Sequence, residues 1–179
     1  SSPEQGWEVD IQQIATRANT KGTVAIDANN IRNGLQILLN EGGRTMSLNT
    51  TEGQLGRDIE QMLNDVEQFP LRFPAEEMAS QIRGMVVYAL NQGIVENGLK
   101  LQITQTPENT LQVQHNNFGD SSTFSVTSSV GGILSVEANI AQSADRGKNI
   151  EGTINNQLAL GEGQYLTTIQ GLEAAGVTV

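Results

Sequence analysis

Few residues in this chain of 179 could do chemistry, and their spacing does not bring them together. The single His, His115, ends the run Leu111-Gln112-Val113-Gln114-His115 without a sequence partner that would make it a base or ligand, so it reads as a solvated strand-end residue. A nucleophilic Ser needs a sharp strand-to-helix turn, whereas Ser121-Ser122 and Ser128-Ser129 lie in Gly/Ser-rich loop text. The absence of Cys removes disulfides, thiolate metal sites and cysteine nucleophiles together. Glu60, Asp65 and Glu67 fall opposite an apolar stripe, where solvated charge is the ordinary outcome.

Gly161-x-Gly163 lacks the third Gly and following helix of a dinucleotide fingerprint. Asp27 to Asn33 offers oxygen ligands but not the mid-loop Gly and terminal Glu of a calcium loop. Asn49-Thr50-Thr51 matches a glycosylation acceptor in form, yet Thr51 is better used as a helix cap. The chemistry therefore points away from an enzyme: no catalytic residue, no cofactor and no metal ligand is assigned.

Composition narrows the remaining classes. Hydrophobic residues make up 37% and aromatic residues only 4%, so the core must be built mainly from Ile, Leu and Val, and a large aromatic-lined pocket is not expected. Nineteen Gly, with Asn and Gln forming roughly a fifth of the chain, suit a turn-rich β protein with an amide-rich surface. A net charge of −10 repels nucleic acid and anionic membranes alike, so neither is a partner. No apolar run is long enough for a membrane span, and residues 1–15 lack the basic and apolar regions of a cleaved signal peptide. The start at Ser-Ser-Pro and the end at Gly176-Val177-Thr178-Val179 read as those of a piece of a longer chain.

The elements that would carry any site are mostly strands. Trp7, Val9 and Ile11 alternate with polar residues, predicting a strand with one buried face and a break at Gln13-Ile14. Gly22 to Ile26 is a short second run ending in a turn at Asp27-Ala28-Asn29-Asn30, and Leu35–Leu39 with Arg44–Leu48 flanks Asn40-Glu41-Gly42-Gly43 as a hairpin. A capping box at Thr51 and Gln54 precedes Leu55, Ile59, Met62, Leu63 and Val66, predicting a helix over about residues 54–67.

Phe69-Pro70-Leu71-Arg72-Phe73-Pro74 breaks that helix, and Pro74 opens another carrying Met78, Ile82, Met85, Val86, Ala89 and Leu90, which should stop near Gly93. Gly84 inside it is expected to pack closely on a strand. Strands are then expected at Leu99–Gln105, Leu111–His115, Thr123–Ser128 and Ile133–Ala141. Asn155-Asn156 suits a tight hairpin turn, and Gly161 and Gly163 a further reversal. The fold class is thus α+β: a β-rich head domain over residues 1–141 with two consecutive helices on an antiparallel sheet, plus a second β unit over 142–179 that is incomplete or completes a discontinuous domain.

Three segments resemble, in family order, those of flagellar filament capping proteins, the hook-associated protein 2 family. Gly152, Thr153, Ile154, Asn155, Gly161, Gly163, Gln164 and Leu166 match its hairpin pattern, with Asn156 replacing a Gly and Leu160 a small polar residue. Trp7 to Ala18 is similar to the strand opening the family's head region. Leu99, Leu111, Val113, Asn117, Phe118, Gly119, Ser121, Phe124 and Val126 match its flagellin-insert motif, placed within residues 54–128; the Phe69–Pro74 break and the long second helix depart from it.

The resemblance implies an extracellular head region of the filament cap at the distal tip, exported without a cleaved signal peptide, where it helps flagellin subunits fold into place. It implies as partners flagellin and further copies of the chain in a homo-oligomeric ring. Contact with a host surface or glycan would be an addition, and the helical coiled-coil stalk would lie outside this segment. The alternatives are a flagellin hypervariable insert and an adhesin or carbohydrate-binding module.

Structural roles are assigned to Trp7, Val9 and Ile11 in the first strand and to Ile59, Met62, Val66, Ile82 and Val86 in helix packing. Gly119 and Gly152 are assigned to turns. Candidate interface residues are Asn29, Asn30, Phe69, Arg72, Phe73, Arg146 and Lys148, since exposed Phe and Arg are enriched at interfaces. The competing reading folds Phe69 and Phe73 back onto the helices.

Overall fold

The computed structural model describes residues 6–169 and 178–179. Along them run β1 (Val9–Gln13), β2 (Arg17–Lys21), α1 (Ala28–Arg32), β3 (Gln36–Glu41), β4 (Arg44–Asn49), α2 (Gly53–Gln68) and α3 (Ala75–Glu96). There follow β5 (Leu101–Gln105), β6 (Leu111–Phe118), β7 (Phe124–Ser128), β8 (Gln142–Ser143), β9 (Glu151–Ile154), β10 (Gln157–Glu162) and β11 (Tyr165–Thr168). These strands form three antiparallel sheets, ordered β1-β9-β10-β11, β2-β6-β5 and β4-β3-β7-β8, so the fold is α+β with β-rich character.

The chain divides into two units. One combines Thr20–Gln114 with Phe124–Ala144, and the other the described parts of Ser1–Asn19, His115–Thr123 and Asp145–Val179. The division drawn from sequence at 141/142 lies close to the crossing at 144/145. Residues 1–19 and 115–123, placed by sequence in the first domain, instead group with 145–179. Their partner is remote in sequence: β1 pairs antiparallel with β9, Val9 opposite Ile154.

In the larger unit, β3 and β4 form the expected hairpin, with Gly42 and Gly43 both at positive φ as a two-residue turn of this hand requires. Helix α3 repeats an apolar residue every fourth position, and Met78, Ile82, Val86, Leu90 and Ile94 are all buried; the helix packs on β4, β5 and α2. In α2, Ile59 is buried while Met62 and Val66 are half-buried. Asn91 of α3 meets β5 as another strand would: its Nδ2 donates to the Ile103 carbonyl at 2.8 Å and its Oδ1 accepts from the Ile103 N–H at 3.0 Å.

Several local expectations are corrected here. Asp27–Asn30 is not a turn but the start of α1, where Asp27 accepts from the Asn30 N–H at 2.9 Å and Asn30 Oδ1 accepts from the Asp27 N–H at 3.0 Å, a reciprocal capping box. No such box forms at Thr51 and Gln54; the α2 N-cap is Glu52 without a side-chain bond, and the Thr51 hydroxyl donates to Asn49 Oδ1 at 2.9 Å. Gly84 is exposed, and a Cβ there would meet nothing within 4 Å. The close-packed glycine of α3 is Gly93, whose Cβ would lie 3.0 Å from Met46 Cγ.

Gly22–Ile26 is not a strand; the strand is the preceding, largely polar β2, whose buried residues are Ala18 and Thr20. Ile133–Ala141 is not a strand either. The Ser128 hydroxyl accepts from the Leu134 and Ser135 N–H groups, both at 3.2 Å, and donates to the Val130 carbonyl at 2.9 Å. One buried hydroxyl thus satisfies backbone groups that a ladder would otherwise pair, and three consecutive residues, Ile133, Leu134 and Ser135, can be buried in a loop.

The smaller unit has a thin apolar core. Among its described residues the buried hydrophobic side chains are Ala15, Ala18, Ile154 and Leu166. Backbone approach substitutes for side-chain bulk: a Cβ at Gly161 would overlap the Ile150 carbonyl, one at Gly152 the Asp10 carbonyl and one at Gly147 the Gly119 carbonyl. Gly152 is therefore a strand residue under close approach, not the turn residue the sequence suggested, and Gly161 lies within β10 rather than in the reversal after it. The turns themselves are Asn155-Asn156, at φ 50° and 61°, and Gly163 at φ 55°. Val9 and Ile11 do sit in β1 with a register shift between Ile11 and Gln13, yet they are 39% and 53% exposed, so the strand exists while its expected buried face is largely open. Trp7 is half-buried.

Candidate functional site

No group of three or more His, Asp or Glu among the described residues is placed to hold a metal ion. His115 is not a solvated strand-end residue. It lies within β6 and is buried, because the strand runs on to Phe118, and its Nδ1 accepts from the Asn117 N–H at 2.9 Å. At the turn before β6, Glu108 is held below the usual carboxylate range by a Thr106 hydrogen bond, then by its own backbone N–H and by Lys21, whose ammonium lies 3.7 Å away. That is turn chemistry on an exposed side chain.

The most conspicuous exposed apolar group is the connection between α2 and α3. Pro70 and Pro74 each disfavour helix at the residue before them, and Phe69 closes α2 by donating its N–H to the Asp65 carbonyl at 2.8 Å. The segment then winds through hydrogen bonds from Arg72 and Phe73 N–H to the Phe69 carbonyl, each 3.0 Å. Phe69 is 54% exposed and Leu71 fully exposed. Phe73 is half-buried with the Arg72 guanidinium 5.4 Å from its ring centroid. A short, hydrogen-bonded tip presenting two apolar side chains and one cation can dock a complementary surface without first losing much backbone freedom.

The other candidate interface residues are scattered. Asn29 is exposed on α1, whereas Asn30 is committed to the capping box and also donates to the Ala25 carbonyl at 3.4 Å. Beside α1 and α2 lies a cavity of about 410 Å³ lined by Ile31, Ile59 and Leu63 together with the Arg32–Glu67 ion pair, 2.6 Å long. Arg146 and Lys148 are exposed in the smaller unit, where the Lys148 backbone N–H donates to Thr16 Oγ1 at 2.9 Å.

Sequence reasoning missed Leu71, hidden inside a segment noticed for its Phe and Pro. It also missed the outward stripe Leu158 and Leu160 on β10, both more than half exposed with Tyr165 of β11. The alternation Leu158-Ala159-Leu160 was a signal for one sheet face, but which face is covered is decided by residues far away in sequence.

No family model and no curated protein matches the chain. Among solved structures, the D2-D3 domains of the flagellar cap protein FliD from Serratia marcescens align over 96% of this chain and 83% of that one, with TM-score 0.50 and 10% identity. The D2-D3 domains of the flagellar cap protein FliD from Escherichia coli align over 97% of this chain and 83% of that one, with TM-score 0.48 and 11% identity. At such identity the Serratia likeness is one of fold.

Proposed function

We propose that this chain is the head region of a flagellar filament cap, an extracellular structural protein with chaperone-like action on flagellin at the growing tip. The observation that carries the reading is the extent of the fold likeness: one alignment over 96% of the chain takes in both units, and the protein aligned is a cap protein. In this role no bond is made or broken; the β-rich units form a scaffold, and work is done by surfaces that guide a partner chain. The tip at Phe69, Leu71, Arg72 and Phe73, all within the larger unit, is the surface proposed to contact flagellin or a further copy of the protein.

The test is genetic. Disrupting the gene in its host should give cells that shed unassembled flagellin into the medium and carry short or absent filaments, and the intact gene should restore them. A double substitution, Phe69→Ser with Leu71→Ser, should restore filaments poorly although the protein is folded and exported. Normal filaments in the disrupted strain would overturn the cap reading, and full rescue by the double variant would overturn the role of the tip.

A further inference from the structure

The smaller unit contains a second feature, independent of the cap reading: a polar cavity of about 410 Å³ bounded by the end of β6 with the following loop and by the turn between β10 and β11. The size falls in the range of small-ligand sites. Its floor includes Arg17, whose guanidinium carbon lies 4.3 Å from the Phe118 ring centroid, a cation–π contact. The Nε of Arg17 is buried and has no hydrogen-bond partner among the described residues. Arg17 also forms no ion pair among them, although the chain as a whole carries a net charge of −10.

The other walls are amides, hydroxyls, one carboxylate and one ring. Asn116 and Asn117 come from β6, Ser121 from the loop, and Glu162, Gln164 and Tyr165 from the β10–β11 turn. Asn149 fastens the two sides together: its Oδ1 accepts from the Gly163 N–H at 3.0 Å, and its Nδ2 donates to the Asp120 carboxylate at 2.9 Å. The Asn149 side chain thus ties the Gly163 backbone to the Asp120 side chain, while Gln164 and Tyr165 remain exposed at the cavity's edge.

We propose that this cavity binds an acidic sugar, a saccharide unit bearing a carboxylate beside vicinal hydroxyls. The Arg17 guanidinium, in no ion pair among the described residues, can offer a carboxylate two parallel N–H bonds from its terminal nitrogens. Planar amides and the Glu162 carboxylate suit neighbouring hydroxyls, because a hydroxyl both donates and accepts. An acidic peptide lacks the vicinal hydroxyls that the amides and Glu162 suit, and a neutral sugar would leave the Arg17 charge unmatched. The exposed Tyr165 ring supplies the apolar face on which a pyranose C–H surface can rest.

The test is a backbone-amide NMR titration of this chain with N-acetylneuraminic acid and D-galacturonic acid, against methyl β-D-galactoside and a Glu-rich peptide. At least one acidic sugar should shift the amides of Asn116, Asn117, Ser121 and Gln164 saturably with a Kd of about 1 mM. Arg17→Lys should weaken that binding about tenfold, since a point charge replaces a planar fork. Tyr165→Ala, at an exposed position that leaves the fold intact, should weaken it similarly. No shifts with either acidic sugar, equal binding of the neutral sugar, equal binding of the peptide, or undiminished binding by Tyr165→Ala would each overturn the assignment.

Discussion

Replacing Asn91 by Ala should cost more stability than truncating any other polar side chain of α3. The side chain makes two bonds to one residue of β5, accepting from the Ile103 N–H at 3.0 Å and donating to its carbonyl at 2.8 Å. Each bond contributes about 1 kcal/mol net, and each backbone group left unpaired costs about 1–3 kcal/mol if water cannot reach it. Ile103 is only 2% exposed, but Asn91 is itself half-buried, so its removal admits some water and the penalty falls below the full sum. The expected loss is about 2–4 kcal/mol, read as a fall in Tm of about 6–12 °C for a chain of this size.

Urea unfolding followed by circular dichroism would measure the free energy, and hydrogen exchange at the Ile103 amide would locate it. Asn91→Asp provides a signed control. The introduced carboxylate can still accept from Ile103 N–H, but its other oxygen faces the Ile103 carbonyl, and only the protonated acid can donate to it. Its folded-state pKa should therefore lie above the unfolded value, so the acid form's stabilisation is present below the unfolded pKa and lost as pH rises through the folded one. If Asn91→Ala unfolds within about 0.5 kcal/mol of the parent protein, or the Ile103 amide exchanges no faster, the strand-mimicking role of Asn91 is wrong.

Gly84→Ala should stabilise the protein by about 1 kcal/mol, because the site is exposed, helical and free of neighbours for a Cβ; thermal unfolding would show it, and a loss would reveal a contact the structure lacks. Gly161→Ala should destabilise by about 2 kcal/mol or more, since its Cβ would drive into the Ile150 carbonyl; unchanged unfolding would mean that β10 shifts freely. Ser128→Ala should cost about 2–3 kcal/mol by stripping the Leu134 and Ser135 N–H groups of their acceptor. Ser128→Thr, if accommodated, should recover part of it, and equal stability of all three proteins would refute the hydroxyl's role.

What could be read from the sequence depended on how local the determining physics was. The Gly42-Gly43 hairpin, the Asn155-Asn156 turn and the two long helices announce themselves within a few residues, through positive-φ residue types and four-residue apolar spacing. β2 was illegible because its inward positions are Ala18 and Thr20, too small and polar to register as an apolar alternation. Ile133–Ala141 misled in the opposite sense: its apolar residues are buried, but by a serine that pairs their backbone, not by a ladder. Val9 and Ile11 had the right period yet lie on a face left largely open, because alternation fixes which residues share a face and not whether that face is covered. The tip was legible because two prolines frame it, whereas the cavity around Arg17 gathers residues from three distant stretches and leaves no local trace.

The discontinuity of the smaller unit has a temporal consequence. A chain emerging amino end first presents β1 long before β9, the strand it pairs with, some 140 residues later. The larger unit needs only residues 20–144 and contains most of the local hairpin and helical contacts, so it can fold while the end is still arriving. The unit that opens the sequence is thus the last to close. Until Asn155-Asn156 has turned and β9 has reached β1, residues 9–13 remain an unpaired strand, still available to a neighbouring chain.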